Sequence, residues 1–535
     1  FGCTDPTALN FDPLATVDDS SCCSNTSALW NQIGQNIDGD NSGDRSGYST
    51  ALNSDGSIVA IGSTESNANG GYSGHVTVYG WNGYSWIKIG QNINGEAAGD
   101  YCGWSISLSG NGNILAIGAP NNDGNGNISG HVRVFENING IWYQIGQDID
   151  AESSGDHSGW SVSLSNDGNT VAIGAPDNLG TNQQSGHVRI YNYNGSIWTK
   201  IGQDIDGEAQ YDISGRSVSL SNDGNTVAIG APHNDGNGNS SGHVRVYNYN
   251  GSSWNQLGAD IDGESADDWV GDWQSVSLNS DGNKIAVGAE RNDGNNGSYS
   301  GHVRIFEWDG NSWNQLGADI DGEAANDNSG YSVSLSNNGN TVAIGAYNNN
   351  GNGAGSGHVR IFEWDGINWN QLGQDIDGEA AWDQSGSSVS LSDNGNTVAI
   401  GSYRSNGQAG HVRVFSFSNP CLDLGCLDPL ALNYDPNATV SDSTCVYPIY
   451  GCIDTAAVNY NVSANIDDGS CVYCINDTSY TNITACDSVV WNGTTYTQSG
   501  TYSYNSGGSN SYSMNFDGSN DYIDVADNPS LPFGT

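Results

Sequence analysis

Basic residues are scarce in this sequence: 13 Lys and Arg stand against 60 Asp and Glu, which gives a formal net charge of −47 at pH 7. A surface this acidic repels phosphates, so we exclude nucleic acid as a partner and regard anionic membrane surfaces as disfavoured. Long apolar runs are also missing. None approaches the roughly 18 residues that mark a membrane-spanning helix, so we expect no membrane span. Divalent cations or high-salt surroundings would relieve the charge.

Signatures of the common enzyme classes are missing as well. The sequence has no G-x-S-x-G nucleophile motif, no H-E-x-x-H zinc motif and no phosphate-binding loop. Only His157 and His233 lie outside a repeated G-H-V motif, and neither has a recognisable Ser or Cys partner. We therefore expect no enzymatic activity. The chain starts at Phe1 without a signal peptide, which favours a piece of a longer exported protein.

Two motifs recur along the chain and define a repeat. The G-H-V histidine stands at positions 75, 131, 187, 243, 302, 358 and 411, with spacings of 56, 56, 56, 59, 56 and 53 residues. A W-x-x-[IL]-G motif starts at positions 30, 86, 142, 198, 254, 313 and 369. Because the same histidine opens a strand in seven equivalent places, we interpret it as structural, hydrogen-bonded to a neighbouring turn, rather than catalytic.

Each repeat contains the pattern of four short strands. "SVSLS" (161–165) alternates polar and apolar residues, "TVAIGA" (170–175) is apolar on both faces, and "HVRVF" (131–135) and "WTKIG" (198–202) complete the set. Seven such units predict an all-β fold with a seven-bladed β-propeller over residues 29–417. The array starts with a spare strand and ends one strand short. We therefore expect residues 29–34 to pair with residues 411–417 and close the ring.

The motif "SGWSVSLSNDGNTVAIGAP" followed by "SGHVRIY" resembles the FG-GAP repeat of integrin-type propellers, and the resemblance covers about residues 30–417. The resemblance implies the propeller fold. The sequence departs from the family pattern because Ser-Gly replaces Phe-Gly and because the inner hairpin is too short for the calcium loop of the family. The cation site of that hairpin is therefore not expected in this chain.

Three segments outside the propeller share a frame bounded by two cysteines 19 positions apart, as in "GCTDPTALNFDPLATVDDSSC". They look like the small modules of large surface proteins that Bacteroidota export by the type IX system. A C-terminal stretch resembles the first strands of a laminin-G-like or lectin-type jelly roll. We divide the chain into a cysteine module at 1–23, the propeller at 29–417, cysteine modules at 425–446 and 451–472, a β-rich segment at 474–510 and the truncated jelly roll at 511–535.

The cysteines are interpreted as disulfides of an oxidising compartment, because modules of about 20 residues are too small for a core of their own. Zinc is disfavoured because no second Cys or His stands at ligand spacing. The predicted pairs are Cys3–Cys22, Cys426–Cys445, Cys452–Cys471, Cys474–Cys486 and Cys23–Cys421, with Cys102 left free. The Cys23–Cys421 pair follows from ring closure, which brings the two ends of the propeller together.

Acidic residues recur in the loop that leaves each repeat, as in "DIDGEAQYDISG". Three hard oxygens within seven residues are candidate ligands for Ca²⁺. The alternative is that the carboxylates accept backbone N–H bonds and shape the turn. The candidate calcium ligands are Asp206, Glu208, Asp212, Asp262, Glu264, Asp268, Asp321, Glu323, Asp327, Asp377, Glu379 and Asp383, with Asn10, Asp12, Asp18 and Asp19 in the first cysteine module.

One face of the propeller is expected to carry these long acidic loops, and binding usually occurs on long loops. At the start of each inner strand, that face carries Tyr48, Trp104, Trp160, Arg216, Gln274, Tyr331 and Ser387. Aromatic rings at this position are candidates for stacking on sugars, and Tyr48, Trp104, Trp160, Arg216 and Tyr331 are therefore our candidate ligand-binding residues. The alternative is that they pack at the mouth of the channel.

Our leading hypothesis is a non-catalytic adhesion segment of a large secreted cell-surface protein or filament. It would be extracellular, would bind a cell-surface or glycan ligand and would be able to self-assemble. The first alternative is a carbohydrate-binding module that uses the propeller face or the jelly roll. The second is a glycan-active enzyme, which needs two carboxylates at a defined separation.

Overall fold

The computed structural model describes residues 29–179 and 184–418, together with shorter stretches between residues 424 and 526. Seven five-stranded antiparallel sheets form the blades of a β-propeller, and Ser405–Gln408 is the one helix among the described residues. The predicted all-β class and seven-bladed architecture are therefore confirmed. The chain divides into two compact units, residues 1–422 and 423–535.

Each blade has four strands in order from the channel outwards and a fifth, two-residue strand that pairs with the third. Blade 1 has Ser46–Leu52, Ile58–Ser63, His75–Trp81, Trp86–Lys88 and Ile93–Asn94. Blade 2 has Ser105–Leu108, Ile114–Ala119, His131–Ile138, Ile141–Gln144 and Ile149–Asp150. Blade 3 has Ser161–Leu164, Thr170–Ala175, His187–Tyr193, Trp198–Lys200 and Ile205–Asp206. Blade 4 has Ser217–Leu220, Thr226–Ala231, His243–Tyr249, Trp254–Gln256 and Ile261–Asp262.

Blade 5 has Val276–Leu278, Lys284–Ala289, His302–Trp308, Trp313–Gln315 and Ile320–Asp321. Blade 6 has Ser329–Leu335, Thr341–Ala346, His358–Trp364, Trp369–Gln371 and Ile376–Asp377. Blade 7 combines Ser388–Leu391, Thr397–Ser402 and His411–Ser418 with the N-terminal strands Leu29–Gln32 and Ile37–Asp38. The fifth strand of each blade was not expected from the sequence, because two residues carry no recognisable alternation.

The hydrophobic core lies between the blades. One cluster, for example, joins Val132 and Val134 of blade 2 to Leu164 and Ile173 of blade 3 and to Trp198. The second strand of each blade supplies most of the fully buried residues, and all six residues of Thr170–Ala175 are buried. Each blade therefore completes its core only against its neighbours, as expected for an array in which single repeats are too small to fold alone.

Polar residues of the repeat link neighbouring blades. Along the inner strands, the backbone N–H of Leu164 donates to Ser107 Oγ at 2.9 Å, and equivalent bonds recur around the ring. Along the outer strands, the indole N–H of Trp198 donates to the carbonyl of Ile145 in the preceding blade at 3.0 Å. The alternating serines and the repeated tryptophan are therefore explained by contacts between blades.

The ring closes between the first and last strands of the array. Leu29–Gln32 pairs antiparallel with His411–Ser418, with Trp30 opposite Phe417, as the order of the motifs leads one to expect. Trp30 also donates its indole N–H to the carbonyl of Leu372 in blade 6 at 2.8 Å. The seam therefore carries the same contact between blades as the interior of the ring.

At one end of the channel, the seven inner turns are joined by a closed circle of backbone hydrogen bonds. The N–H of each turn donates to the carbonyl of the next at 2.8–3.1 Å, through Ser54, Gly110, Asn166, Asn222, Ser280, Asn337 and Asp393, whose N–H returns to Ser54. We call this end the short-turn face. The opposite end carries the loops between second and third strands and the loops that lead to the next blade, and we call it the long-loop face.

In the second unit, two cysteine modules share one local pairing. Leu424–Gly425 pairs in parallel with Val440–Ser441, and Tyr450–Gly451 pairs in parallel with Ile466–Asp467 at the same sequence offset. Further along, Tyr480–Thr484 pairs with Tyr522–Ala526, Val489–Trp491 with Thr494–Tyr496, and Thr501–Asn505 with Ser511–Asn515. The boundary predicted between residues 510 and 511 stays a prediction.

Candidate functional site

The long-loop face is held together by one buried aspartate in each blade connection. Asp212, for example, accepts hydrogen bonds from the backbone N–H of Ala209 at 2.8 Å and from Asn234 Nδ2 at 3.2 Å. Equivalent turn bonds are made by Asp268, Asp327 and Asp383. The last member of each predicted calcium triplet therefore shapes its own turn, and Asp212 and Asp327 also accept a hydrogen bond from an asparagine of the neighbouring loop.

The first member of each triplet lies beside the loop between second and third strands. Asp321 accepts a hydrogen bond from Asn295 Nδ2 at 3.1 Å. A Cβ atom at Gly351 would stand 2.7 Å from Asp377 Oδ1, so this close approach requires glycine. Burial, followed by repulsion from Asp260, raises the pKa of Asp262, and burial with repulsion from Asp375 does the same for the pKa of Asp377.

The glutamate of each triplet lies in a recess between two blades, next to the G-H-V histidine of the following blade. One such recess, between blades 4 and 5, has a volume of about 540 Å³ and is lined by residues that include Glu264, His302 and Asp319. Among the described residues, the groups of three candidate metal ligands each combine Glu, His and Asp, and none unites the three members of a triplet. Calcium binding by Asp206, Glu208 and Asp212, and by the equivalent triplets, stays a prediction.

The G-H-V histidines are buried at the start of the third strand, where a structural role was expected. His75 Nδ1 lies 2.7 Å from Ser66 Oγ, and His411 Nδ1 lies 3.0 Å from Ser405 Oγ. These are hydrogen bonds to a neighbouring turn. Burial lowers the pKa of His75 and of His411, so both rings are neutral near pH 7.

Aromatic rings cluster at the mouth of the channel on the long-loop face. Tyr48 and Trp104 lie 4.8 Å apart between ring centroids, and Trp104 and Trp160 are also 4.8 Å apart. Trp273 contacts all three, at 5.2 Å from Tyr48, 5.2 Å from Trp104 and 5.9 Å from Trp160. The structure thus brings together three of the predicted ligand-binding residues, and their inner faces pack on Trp273.

The other two predicted ligand-binding residues belong to the same surroundings. Arg216 lies over the ring of Trp160 at 4.2 Å and pairs with Asp272 through Nε at 2.8 Å. Tyr331 lies 4.4 Å from Tyr347, and burial raises the pKa of Tyr331 well above its ordinary value. Asp272 and Trp273 come from the repeat of 59 residues, in which the loop leading to blade 5 is extended.

Blade 5 differs most from the others, through Trp269, Asp272, Trp273, Glu290 and Arg291, which we call the blade-5 cluster. Glu290 is only 6 % exposed. Burial, reinforced by the charge of Asp272, raises its pKa to about 8. Arg291 lies 3.2 Å from the ring centroid of Trp269. The cluster combines aromatic surface with charges of both signs.

Sequence analysis missed Trp273 and Glu290, although both left a signal. The spacing of 59 residues marks the insertion that supplies Trp273, and Glu290 stands after Gly-Ala where blades 2, 3 and 4 have proline. At the start of the inner strand, sequence analysis assigned Gln274 to blade 5 and Ser387 to blade 7. Gln274 directly follows Trp273, and Ser387 is buried.

The cysteines are described only in part. Cys452 and Cys471 form a disulfide, which is the pair expected from their spacing. Cys445 is disulfide-bonded. Cys102 is free and buried, and burial raises its pKa to about 11. The predicted residues that lie outside the described part of the chain are Cys3, Cys22, Cys23, Cys421, Cys426, Cys474 and Cys486, and the first-module ligands Asn10, Asp12, Asp18 and Asp19.

Comparisons with known proteins agree with this architecture. The family model described as "FG-GAP repeat" matches residues 94–135, 205–247 and 319–362. Each match runs from a short fifth strand into the third strand of the next blade. No curated protein matches the sequence. Within the described residues, no helix has the length and apolar character needed to cross a membrane.

Several solved structures align with most of the chain at low sequence identity. Kuenenia stuttgartiensis hydrazine synthase is 14% identical, with a TM-score of 0.47, and the alignment covers 73% of this chain and 98% of that one. The Cps50 (Swd1) β-propeller domain of Myceliophteria thermophila is 11% identical, with a TM-score of 0.44 and coverages of 73% and 99%. Together with the family match, the seven sheets show that this chain contains FG-GAP repeats within a seven-bladed β-propeller.

Proposed function

We propose that the chain is a non-catalytic, extracellular adhesion segment whose propeller binds a cell-surface or glycan ligand at the centre of the long-loop face. The proposal rests on the positions at which the seven repeats differ. The histidine of the third strand is the same in every blade, whereas the residue after each buried aspartate is different in every blade. These residues are Arg45, Tyr101, His157, Ile213, Trp269, Asn328 and Gln384.

The backbone at this variable position is nearly identical in all seven blades, with φ between 50° and 56°. Glycine adopts such a left-handed conformation at lower cost than any other residue. Five of the seven side chains are partly exposed, whereas Asn328 and Gln384 are buried. Non-glycine side chains held in this conformation indicate that the side chains themselves are used. A binding surface is a physical reason for keeping the scaffold constant while the side chains differ.

The variable position adjoins the aromatic mouth of the channel. Tyr101 contacts Trp104 at 6.1 Å, and His157 contacts Trp160 at 5.9 Å and pairs with Asp177 at 2.7 Å. Trp273 fills the centre of the channel mouth. The accessible surface is therefore broad, with aromatic and polar side chains, and is not a deep cleft. This shape suits adhesion to an extended ligand better than the enclosure of a small substrate.

A carbohydrate ligand is favoured by exposed aromatic rings on the long loops. Tyr72, Tyr211, Tyr299 and Trp382 are all exposed there, and Trp382 is 63% exposed. Aromatic faces of this kind stack on the apolar faces of sugar rings. The carbohydrate-binding alternative therefore uses the same face as the adhesion proposal.

The test compares two exposed aromatic residues on opposite faces. Trp382 lies on the long-loop face, and Tyr84, which is 89% exposed, lies in the turn between third and fourth strands on the short-turn face. The protein is assayed for binding to whole bacterial cells and to an array of surface polysaccharides. We expect Trp382→Ala to reduce binding several-fold and Tyr84→Ala to leave it unchanged. Equal losses, or a loss only with Tyr84→Ala, would contradict the proposed face.

A further inference from the structure

The recesses between blades contain a repeated combination of side chains that neither folding nor the proposed ligand requires. Each contains a glutamate from the loop leaving one blade, the G-H-V histidine of the next blade and an aspartate just before the fifth strand of that next blade. Their candidate ligand atoms lie within 4.8 Å of one another. The five groups are Glu96, His131 and Asp148; Glu152, His187 and Asp204; Glu208, His243 and Asp260; Glu264, His302 and Asp319; and Glu323, His358 and Asp375.

Three of the five histidines in these recesses have buried ring nitrogens without hydrogen-bond partners. His243 is 1% exposed, and neither of its ring nitrogens has a hydrogen-bond partner within the described part of the chain. The same holds for Nε2 of His131 and of His302. A buried polar atom left unpaired costs about 1–3 kcal/mol, so a native structure that repeats it calls for an explanation.

The imidazoles and the carboxylates supply complementary parts of a ligand set. A neutral imidazole has one nitrogen lone pair available for coordination. The carboxylates supply the negative charge.

An arginine lies beside each of these recesses, and in the recess of His187 both Arg189 and Lys200 pair with the carboxylates. In the recess of His243, Arg245 Nη2 donates to the carbonyl of Asp206 at 2.7 Å, and Nη1 lies 3.5 Å from Glu208 Oε1. The guanidinium is thus fixed on the backbone at the edge of the recess and holds the glutamate nearby. In this recess, two carboxylates against one guanidinium leave a net negative charge.

We propose that each of these five recesses binds one divalent transition-metal ion of the Zn²⁺ type, which joins two neighbouring blades. One imidazole and two carboxylates form a three-ligand set of the kind that Zn²⁺ accepts, with water as the fourth ligand. Calcium does not fit this set because Ca²⁺ takes oxygen ligands. Three of these sites share their glutamate (Glu208, Glu264 or Glu323) with the triplets predicted to bind calcium, but their other two ligands, His and Asp, differ from those of the triplets.

The geometry permits such a site after a small adjustment. Bonds of about 2.0–2.2 Å to a tetrahedral zinc place ligand atoms roughly 3.4 Å apart, which is closer than the 4.8 Å limit within which they now lie. The glutamate side chains are 44–51% exposed, and each has to leave its ion pair with an arginine to reach the metal. The buried histidines provide the fixed point.

The two remaining recesses serve as natural controls. Asn92 replaces the aspartate beside His75, and Asn36 replaces it beside His411. Asn36 Nδ2 donates to Glu379 Oε2 at 2.9 Å, so the amide occupies the oxygen that a metal would need. We therefore expect five metal ions per chain and not seven.

The test measures the amount of Zn²⁺ retained by the full chain after dialysis with excess Ca²⁺ at physiological ionic strength, by elemental analysis. The recess variant Glu152→Gln, Glu208→Gln, Glu264→Gln removes three ligands. The control variant Glu136→Gln, Glu307→Gln, Glu363→Gln removes three carboxylates from the opposite ends of third strands. We expect five Zn²⁺ ions for the parent and the control, and two for the recess variant.

A gain-of-site variant keeps the test independent of any loss of stability. Asn36→Asp restores the missing carboxylate beside His411 and Glu379, and we expect it to raise the count from five to six. Cobalt(II) bound in place of zinc is expected to show the visible absorption of a tetrahedral site. Displacement of Zn²⁺ by Ca²⁺, equal counts in the recess and control variants, or no gain with Asn36→Asp would each overturn the proposal.

Discussion

Replacing Glu290 with glutamine isolates the pH dependence of one buried carboxyl group. Glu290 lies at the channel mouth, close to Asp272, Arg291, Arg216 and Tyr331, and its pKa is raised from 4.5 to about 8. Because the folded-state pKa lies above the unfolded value, the folded protein binds this proton more tightly. The resulting stability is fully present below about pH 4.5 and is lost as the pH rises through about 8.

The magnitude follows from the size of the pKa shift. Each unit corresponds to 1.36 kcal/mol, so the full shift from 4.5 to about 8 amounts to roughly 5 kcal/mol. Between pH 6 and pH 8 the linkage relation assigns a loss of about 2 kcal/mol to this group alone. The neutral amide of Glu290→Gln does not titrate, and it matches the protonated carboxyl group in size.

The assay is urea unfolding of both proteins at pH 6 and pH 8, followed by tryptophan fluorescence. All other titrating groups are common to the two proteins, so the difference between their pH dependences reports Glu290. We expect the parent to lose about 2 kcal/mol more than Glu290→Gln between these pH values. If the two proteins lose the same stability, the carboxyl group is not buried and protonated as inferred, and the reasoning fails.

Three further predictions concern the scaffold. Trp30→Phe removes the indole bond to Leu372 at the ring seam and should cost about 1–2 kcal/mol. In urea unfolding, the loss of stability should equal that of Trp198→Phe inside the ring. An unchanged free energy of unfolding for Trp30→Phe would contradict ring closure by the N-terminal strand. Ser390→Ala leaves the buried N–H of Leu52 without its acceptor, and hydrogen exchange at that amide should quicken tenfold or more, about 1.4 kcal/mol. Unchanged exchange would refute the link between blades. Cys452→Ala removes the disulfide between two cysteines that are 19 positions apart and should destabilise its module by about 3 kcal/mol. Proteolysis within residues 451–472 measures this, and an unchanged cleavage rate would count against it.

The period of the sequence was sufficient to predict the fold. Seven copies of the histidine and tryptophan motifs indicated seven blades, and their order indicated that Trp30 pairs into the blade that contains His411. Both inferences depend on counting alone. The short fifth strand could not be predicted in the same way, because Ile205–Asp206 is held only by its pairing with His187 and Val188.

The candidate site was predictable only in part, because its parts come from different repeats. Glu208 and Asp212 are four residues apart in sequence, yet Glu208 lies beside His243 of the next blade and Asp212 bonds to its own turn. That division depends on contacts across a blade interface, which spacing within one loop does not reveal. The insertion before blade 5 was visible as a longer repeat, but its length did not show that Trp273 reaches the centre of the channel mouth.

The register of the closing strands determines how tension passes through the propeller. Leu29 pairs with Ser418 and Gln32 with Phe415, so the chain enters and leaves the ring at neighbouring residues. Force applied at these two points separates the four paired residues of the two strands one after another, instead of shearing all four pairs at once. Of the other blades, blade 6 resists this separation through the bonds of Leu372 and Gln374 to Trp30. The predicted Cys23–Cys421 disulfide would lie just outside that point, and it would transmit the force through a covalent bond and spare the ring.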